Sequence, residues 1–169
     1  MSCAKILIEM RNTLTASILA LALASSVCAA EKYNGPRPPK QDVPYLVHAD
    51  NLIETEVSQA SPESRKHDTT YVISGTNSPA RTPLAEPIFL IDANTIVPER
   101  LEMYRMEVKN GRREITLSGG RHGSGKPIHI TVTPLGDHLY RVEAAEMLED
   151  GEYVLTPNGS NQVFCFEIY

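Results

Sequence analysis

Residues Met103–Ser118, MYRMEVKNGRREITLS, constrain the fold more than any other stretch of the chain. Two alternating segments meet there at Asn110-Gly111, the dipeptide that most strongly signals a two-residue hairpin, because the favoured turn needs positive φ at both central positions. A two-residue loop fixes the register: Lys109 lies opposite Arg112, Val108 opposite Arg113, Glu107 opposite Glu114, Met106 opposite Ile115, and Tyr104 opposite Leu117. Tyr104, Met106, Val108, Ile115 and Leu117 then share one face, and Arg105, Glu107, Glu114 and Thr116 the other. A slip of one residue would scramble that separation, so turn chemistry and polarity pattern agree. Arg113, beside the turn, is the one charge on the apolar side. The other strands are expected to stack on that face.

Short β-branched and aromatic segments recur on both sides of this hairpin. Tyr45–Ala49 and Leu52–Val57 read as strands; in the second, Ile53, Thr55 and Val57 alternate with Glu54 and Glu56, which should point outward. Ser58–Asp68, with Pro62, reads as a polar connection, Thr69–Ser74 as a strand, and Gly75–Pro87 as an irregular loop. Ile88–Ile91 is apolar on both faces, as a strand deep inside a sandwich would be. Pro127–Glu143 forms a second hairpin. An odd-numbered loop around Leu135-Gly136-Asp137, with Ile130 opposite Val142 and Val132 opposite Tyr140, separates its faces best. Gly151–Thr156 and Gln162–Tyr169 are joined by the turn Pro157–Ser160; Phe164, Phe166 and Ile168 lie on one side of the last strand, Val163 and Cys165 on the other. Only Ala144–Asp150 could make a helical turn. Roughly ten short strands with turn signals between them predict an all-β fold, a single β-sandwich over residues 45–169. Leu148–Tyr153, LEDGEY, resembles the corner of immunoglobulin-like domains in which a Tyr hydroxyl bonds back to upstream backbone, and favours an immunoglobulin-like variant of the sandwich.

The N-terminus reads as an address. Thr13–Ala30 carries no charge, its centre Ile18–Ala24 is Leu- and Ala-rich, Arg11 precedes it, and Cys28-Ala29-Ala30 stands before Glu31. Those are the three regions of a cleaved secretory signal, residues 1–30, cut after Ala30. Met10-Arg11 makes a more usual start than Met1, since Glu9 sits badly in a basic n-region. Val27 occupies the place where lipidation at Cys28 would need a small residue. Residues 31–44, EKYNGPRPPKQDVP, hold four prolines and should form an extended strap ahead of the domain. The expected location is periplasmic or secreted, with no membrane span in the mature chain.

Removing Lys5, Arg11 and Glu9 with the signal takes the chain from 16 basic and 21 acidic side chains to 14 and 20, a net charge of −6. That balance argues against nucleic acid, whose binding rests on neutralising phosphates, and against docking on anionic lipid. Cys3 and Cys28 leave with the signal, so Cys165 stands alone and packing, not cross-linking, must stabilise the mature chain. Tryptophan, a common stacking platform for quaternary amines, is absent.

Candidate chemistry is sparse. Gly120–Lys126, GRHGSGK, has the glycine and lysine spacing of a phosphate loop, but Pro127 stands where magnesium chemistry needs Ser or Thr, and a strand follows instead of a helix. Glu107 facing Glu114, and the edge Glu54–Glu56, could supply the paired carboxylates of a glycoside hydrolase, though on a wet face with Arg105 and Arg112 nearby a charge lattice is the better account. His48, His67, His122, His129 and His138 make no metal-ligand spacing. Cys165, mid-strand between Phe164 and Phe166, reads as a buried thiol and not a nucleophile. Asn158-Gly159-Ser160 is a glycosylation sequon, relevant only in a eukaryotic secretory pathway. No residue is assigned a catalytic, cofactor-binding or metal-ligating role, and no cofactor is expected.

KYNGPRPPKQDVPYLVHADNL (32–52), PLAEPIFLI (83–91), LEMYRMEVKNGRREI (101–115) and DGEYVLTPNGSNQVFCF (150–166) resemble a family of small, uncharacterised secreted bacterial proteins. The resemblance implies one domain and an envelope address and transfers no activity or site. The expected function is a non-enzymatic binding or assembly module engaging another envelope protein through sheet faces, edges or the strap. Its rivals are a small hydrolase or carbohydrate-active domain using Glu107, Glu114 or Glu54–Glu56, and ligand or metal capture by Gly119–Lys126 with His122.

Overall fold

The computed structural model describes residues 33–65, 68–118 and 125–169. Thirteen strands follow one another: β1 (Tyr45–His48), β2 (Asn51–Glu54), β3 (Glu56–Gln59), β4 (Ser61–Arg65), β5 (Asp68–Ser74), β6 (Arg81–Thr82), β7 (Ile88–Asp92), β8 (Leu101–Lys109), β9 (Arg112–Ser118), β10 (Ile130–Gly136), β11 (Leu139–Ala144), β12 (Gly151–Pro157) and β13 (Gln162–Ile168). They form two sheets, antiparallel except for the short β6–β13 pairing. One has the order β10-β11-β7-β1-β2; the other runs β3-β13-β12-β8-β9-β5-β4, with β6 beside β13. The fold is an all-β sandwich. β7, apolar on both faces, sits mid-sheet between β11 and β1.

The larger sheet curls back on itself. Its path begins at β3 and ends at β4, yet these two strands are separated in sequence by Ala60 alone. The β3–β4 run, β13, β12, β8, β9 and β5 therefore make a ring. Its interior is one apolar cluster to which every member contributes: Ala60, Cys165 and Val163, Val154, Met106 and Tyr104, Ile115, and Ile73. A second, larger cluster fills the sandwich proper. It joins Leu46, Phe89, Ile91 and Val142 of the five-stranded sheet to Leu101, Met103, Tyr153, Leu155, Phe164, Phe166 and Ile168 on the outer wall of the ring. Phe166 meets Phe89 edge-on at 4.9 Å and stacks on Tyr153 at 5.5 Å between centroids.

The hairpin at Asn110-Gly111 forms with φ of 53° and 75°, and Lys109–Arg112, Val108–Arg113 and Glu107–Glu114 pair as expected. The expected pairs Met106–Ile115 and Tyr104–Leu117 do not form as ladder rungs. Past Glu107 the strands separate: β8 pairs with β12 and β9 with β5. Met106 and Ile115 still meet inside the ring, whereas Val108 is 49% exposed. Nor does the rest of the chain stack only on that face: Met103, one residue from Tyr104, faces the larger core, so β8 is buried on both sides.

Leu52–Val57 is two strands, not one. The chain leaves the first sheet for the second at Thr55, whose N–H and hydroxyl both donate to the Pro44 carbonyl at 3.3 and 2.7 Å. Glu54 remains outside, but Glu56 turns inward, against expectation. The polar connection 58–68 is also a correction, since it carries the end of β3 and β4. Pro62 is tolerated there because β4 is an edge, with β5 its one neighbour in the sheet. The second hairpin is two residues out of the expected register, with Ile130 opposite Ala144 and Val132 opposite Val142. Its turn is Asp137-His138, both at positive φ, and an irregularity between Pro134 and Gly136 restores the facing parity.

Residues 33–44 contain no strand, but Gln41 bridges Asp92. The Asp42 carboxylate accepts the N–H groups of Asn94, Thr95 and Ile96 and the Thr95 hydroxyl at 2.7–3.0 Å. At the LEDGEY corner the Tyr153 hydroxyl donates to the Glu149 carbonyl at 2.7 Å, the local bond that the sequence pattern implied. Residues 144–150 form no helix.

Candidate functional site

The ring interior has an apolar end and an ionic end. Alternation along the strands assigns the ends. β8 sends Glu102, Tyr104 and Met106 inward, β9 sends Arg113, Ile115 and Leu117, and β5 sends Tyr71 and Ile73. At the apolar end lies a cavity of about 130 Å³. Its walls are Ile73, Met106, Ile115, Val154 and Val163, with the β12–β13 turn, Pro157 and Gly159–Asn161, along its rim. The residues of its lining with polar side chains are Tyr71, Glu102, Tyr104, Thr156, Ser160 and Asn161. The Tyr104 hydroxyl donates to Glu102 Oε2 at 2.8 Å, Asn158 Nδ2 donates to Glu102 Oε1 at 2.6 Å, and the Thr156 hydroxyl donates to the Gln162 carbonyl at 2.9 Å. Burial, reinforced by the hydrogen bond to the Glu102 carboxylate and its charge, pushes the Tyr104 phenol far above its ordinary value, so it is a neutral donor.

At the ionic end the Arg113 side chain is 1% exposed. Its guanidinium grips Glu56 bidentately, Nη1 to Oε2 at 2.7 Å and Nη2 to Oε1 at 2.8 Å. Nη2 also donates to the Ser74 carbonyl at 3.0 Å and Nε to the Gly75 carbonyl at 3.3 Å. Glu152, 5% exposed, stands 3.5 Å from Nη1 and accepts the Ser78 N–H on both oxygens. One buried cation thus faces two carboxylates. Burial raises the Glu152 carboxyl above its usual range, and the Ser78 N–H and Arg113 only partly offset this. Burial also pushes the Cys165 thiol up to about 12, with Arg113 opposing. That thiol is protonated and fully enclosed, so it is no nucleophile.

The carboxylates singled out in the sequence are spoken for. Glu107 and Glu114 do face each other, but Lys109 pairs with Glu107, and Arg112 donates to Glu114 at 3.1 Å and to Glu63 at 2.9 Å. Arg105, expected to offset them, reaches Glu149 instead at 2.6 Å. Glu54 accepts from Lys40 at 2.7 Å and Tyr45 at 3.1 Å; the Lys40 bond holds its carboxyl below the usual range against a small burial effect. His48, His129 and His138 are exposed and scattered, while His67 and His122 lie outside the described residues, as do residues 119–124 of the glycine-rich loop and the signal 1–30. Among the described residues no three His, Cys, Asp or Glu groups come together as a metal site.

Arg113 was visible in the sequence as the charge on the wrong face. Glu152, its second carboxylate, sits in the alternating run GEYVLT and could have been flagged by the same logic, whereas Glu102 and Tyr104 carried no signal beyond alternation. Compared with family models, curated proteins and solved structures, the chain matches none.

Proposed function

We propose that this chain is an exported, non-enzymatic binding or assembly module of the bacterial cell envelope, periplasmic or secreted after loss of residues 1–30, working through contacts with another envelope protein. One observation supports this over a hydrolase: three of the carboxylates that the sequence offered as acid or base are held by a cation at hydrogen-bond distance, Glu107 by Lys109, Glu114 by Arg112 and Glu54 by Lys40. A general acid needs a raised pKa, and the Lys40 bond moves the Glu54 carboxyl the other way. Among the described residues no helix is long and apolar enough to cross a membrane, which is compatible with a chain acting outside one.

The full chain, expressed with its leader and cross-linked in intact cells, is expected to give a discrete heteromeric band in the envelope fraction. Residues 1–30 should be missing from its mass. Absence of any cross-linked species, or hydrolysis of a glycan substrate that disappears in Glu107→Gln or Glu114→Gln, would overturn the reading.

A further inference from the structure

The cavity inside the ring is built like a small-molecule site, with apolar walls and a single charged acceptor. We propose that it binds a small apolar molecule bearing a protonated amine, the apolar body between Met106, Ile115 and Val154 and the ammonium group against Glu102. At about 130 Å³ it is close to the dry apolar cavity of roughly 150 Å³ that accepts benzene, so a ring of about six heavy atoms or a branched aliphatic chain fits.

The charge of the head group follows from Glu102. Its two current donors, the Tyr104 hydroxyl and the Asn158 amide, are both neutral. No Lys or Arg among the described residues pairs with it, whereas Glu107 and Glu114 on the central hairpin each have a cation. Every carboxylate oxygen has a second lone pair, so each Glu102 oxygen can accept another bond. Tyr104, protonated and already donating to Glu102, offers an incoming anion no charge to offset that of the carboxylate beside it. The Tyr71 and Tyr104 rings also line the cavity, and aromatic faces attract cations. An anionic head would instead meet Glu102 in a partly desolvated site. This inference is independent of the protein-contact reading: a failed ligand titration leaves the cross-linking result untouched, and the reverse holds too.

Four probes of similar size separate the terms: benzylamine, benzyl alcohol, benzoate and toluene, titrated at neutral pH into isotope-labelled protein and followed by NMR. Benzylamine is expected to shift the resonances of cavity residues saturably and to bind about tenfold tighter than benzyl alcohol, with toluene weaker and benzoate not binding. Glu102→Gln, a partly exposed position, should abolish the amine preference while benzyl alcohol still binds. Ala60→Ile, which adds volume at the cavity wall, should weaken all three. No saturable shift from any probe up to ~10 mM, an amine preference that survives in Glu102→Gln, or benzoate binding more tightly than benzylamine would overturn the proposal.

Discussion

Replacing Arg113 by Met isolates the role of the ionic end of the ring. The substitution keeps most of the buried side-chain volume but removes the guanidinium, leaving Glu56 without its bidentate partner and Glu152 without the cation 3.5 Å away. The Ser74 and Gly75 carbonyls lose their donors as well. Removing one partner of a buried pair costs about 3–5 kcal/mol, chiefly because the opposite charge stays buried and uncompensated. For a domain of this size that corresponds to a fall in Tm on the order of 10 °C. Urea unfolding followed by far-ultraviolet circular dichroism is the appropriate assay, because the chain has no Trp to report by fluorescence. The charge argument is sharpened by Glu152→Gln in the same background, which removes the buried carboxylate, leaves the half-buried Glu56, and should recover part of the loss. A cost below about 1 kcal/mol for Arg113→Met, or a double variant less stable than Arg113→Met alone, would refute it. The first would place the cluster among ordinary surface pairs; the second would mean that packing around Arg113, not charge, sets the cost.

Glu152 also carries a pH signature. Its carboxyl is raised in the folded state above the ordinary 4.5, so between these values the folded chain binds more protons than the unfolded one, and stability falls as pH rises through that window. Glu152→Gln should flatten this slope in urea titrations across pH 4–8. Asp42 has the opposite sign. Burial opposes ionisation there, but its four donor groups outweigh burial and hold the carboxyl below 3.8, so its contribution is present above that value and lost as pH falls through the folded one. Asp42→Ala should cost about 1–2 kcal/mol at neutral pH and progressively less in acid. Cys165, enclosed and with its thiol pushed up to about 12, should resist iodoacetamide in native protein at pH 8 and react fully in urea, read by intact mass.

What was legible in the sequence was local. Asn110-Gly111 dictated its turn and the three pairs beside it, because a two-residue loop leaves no choice of register. The divergence of β8 from β9 was not legible, since alternation looks the same whichever strand lies alongside. For the same reason Thr55 gave no sign of passing the chain between sheets, and Glu56 was placed outside. In the second hairpin the facing parity survived while the register moved by two, because an irregularity changes pairing without changing sidedness. Arg113 announced itself as a charge among apolar neighbours, but its partners lie 57 residues earlier and 39 residues later, at Glu56 and Glu152. The cavity was invisible for a related reason: its walls come from β5, β8, β9, β12, β13 and Ala60, and no window of sequence contains it.

β13 lies between β3 and β12 and supplies both clusters, Phe164, Phe166 and Ile168 to one and Val163 and Cys165 to the other. Neither core can be completed before this thirteenth strand is synthesised, however early the central hairpin closes. A chain truncated before β13 is therefore expected to leave both clusters open along one shared wall.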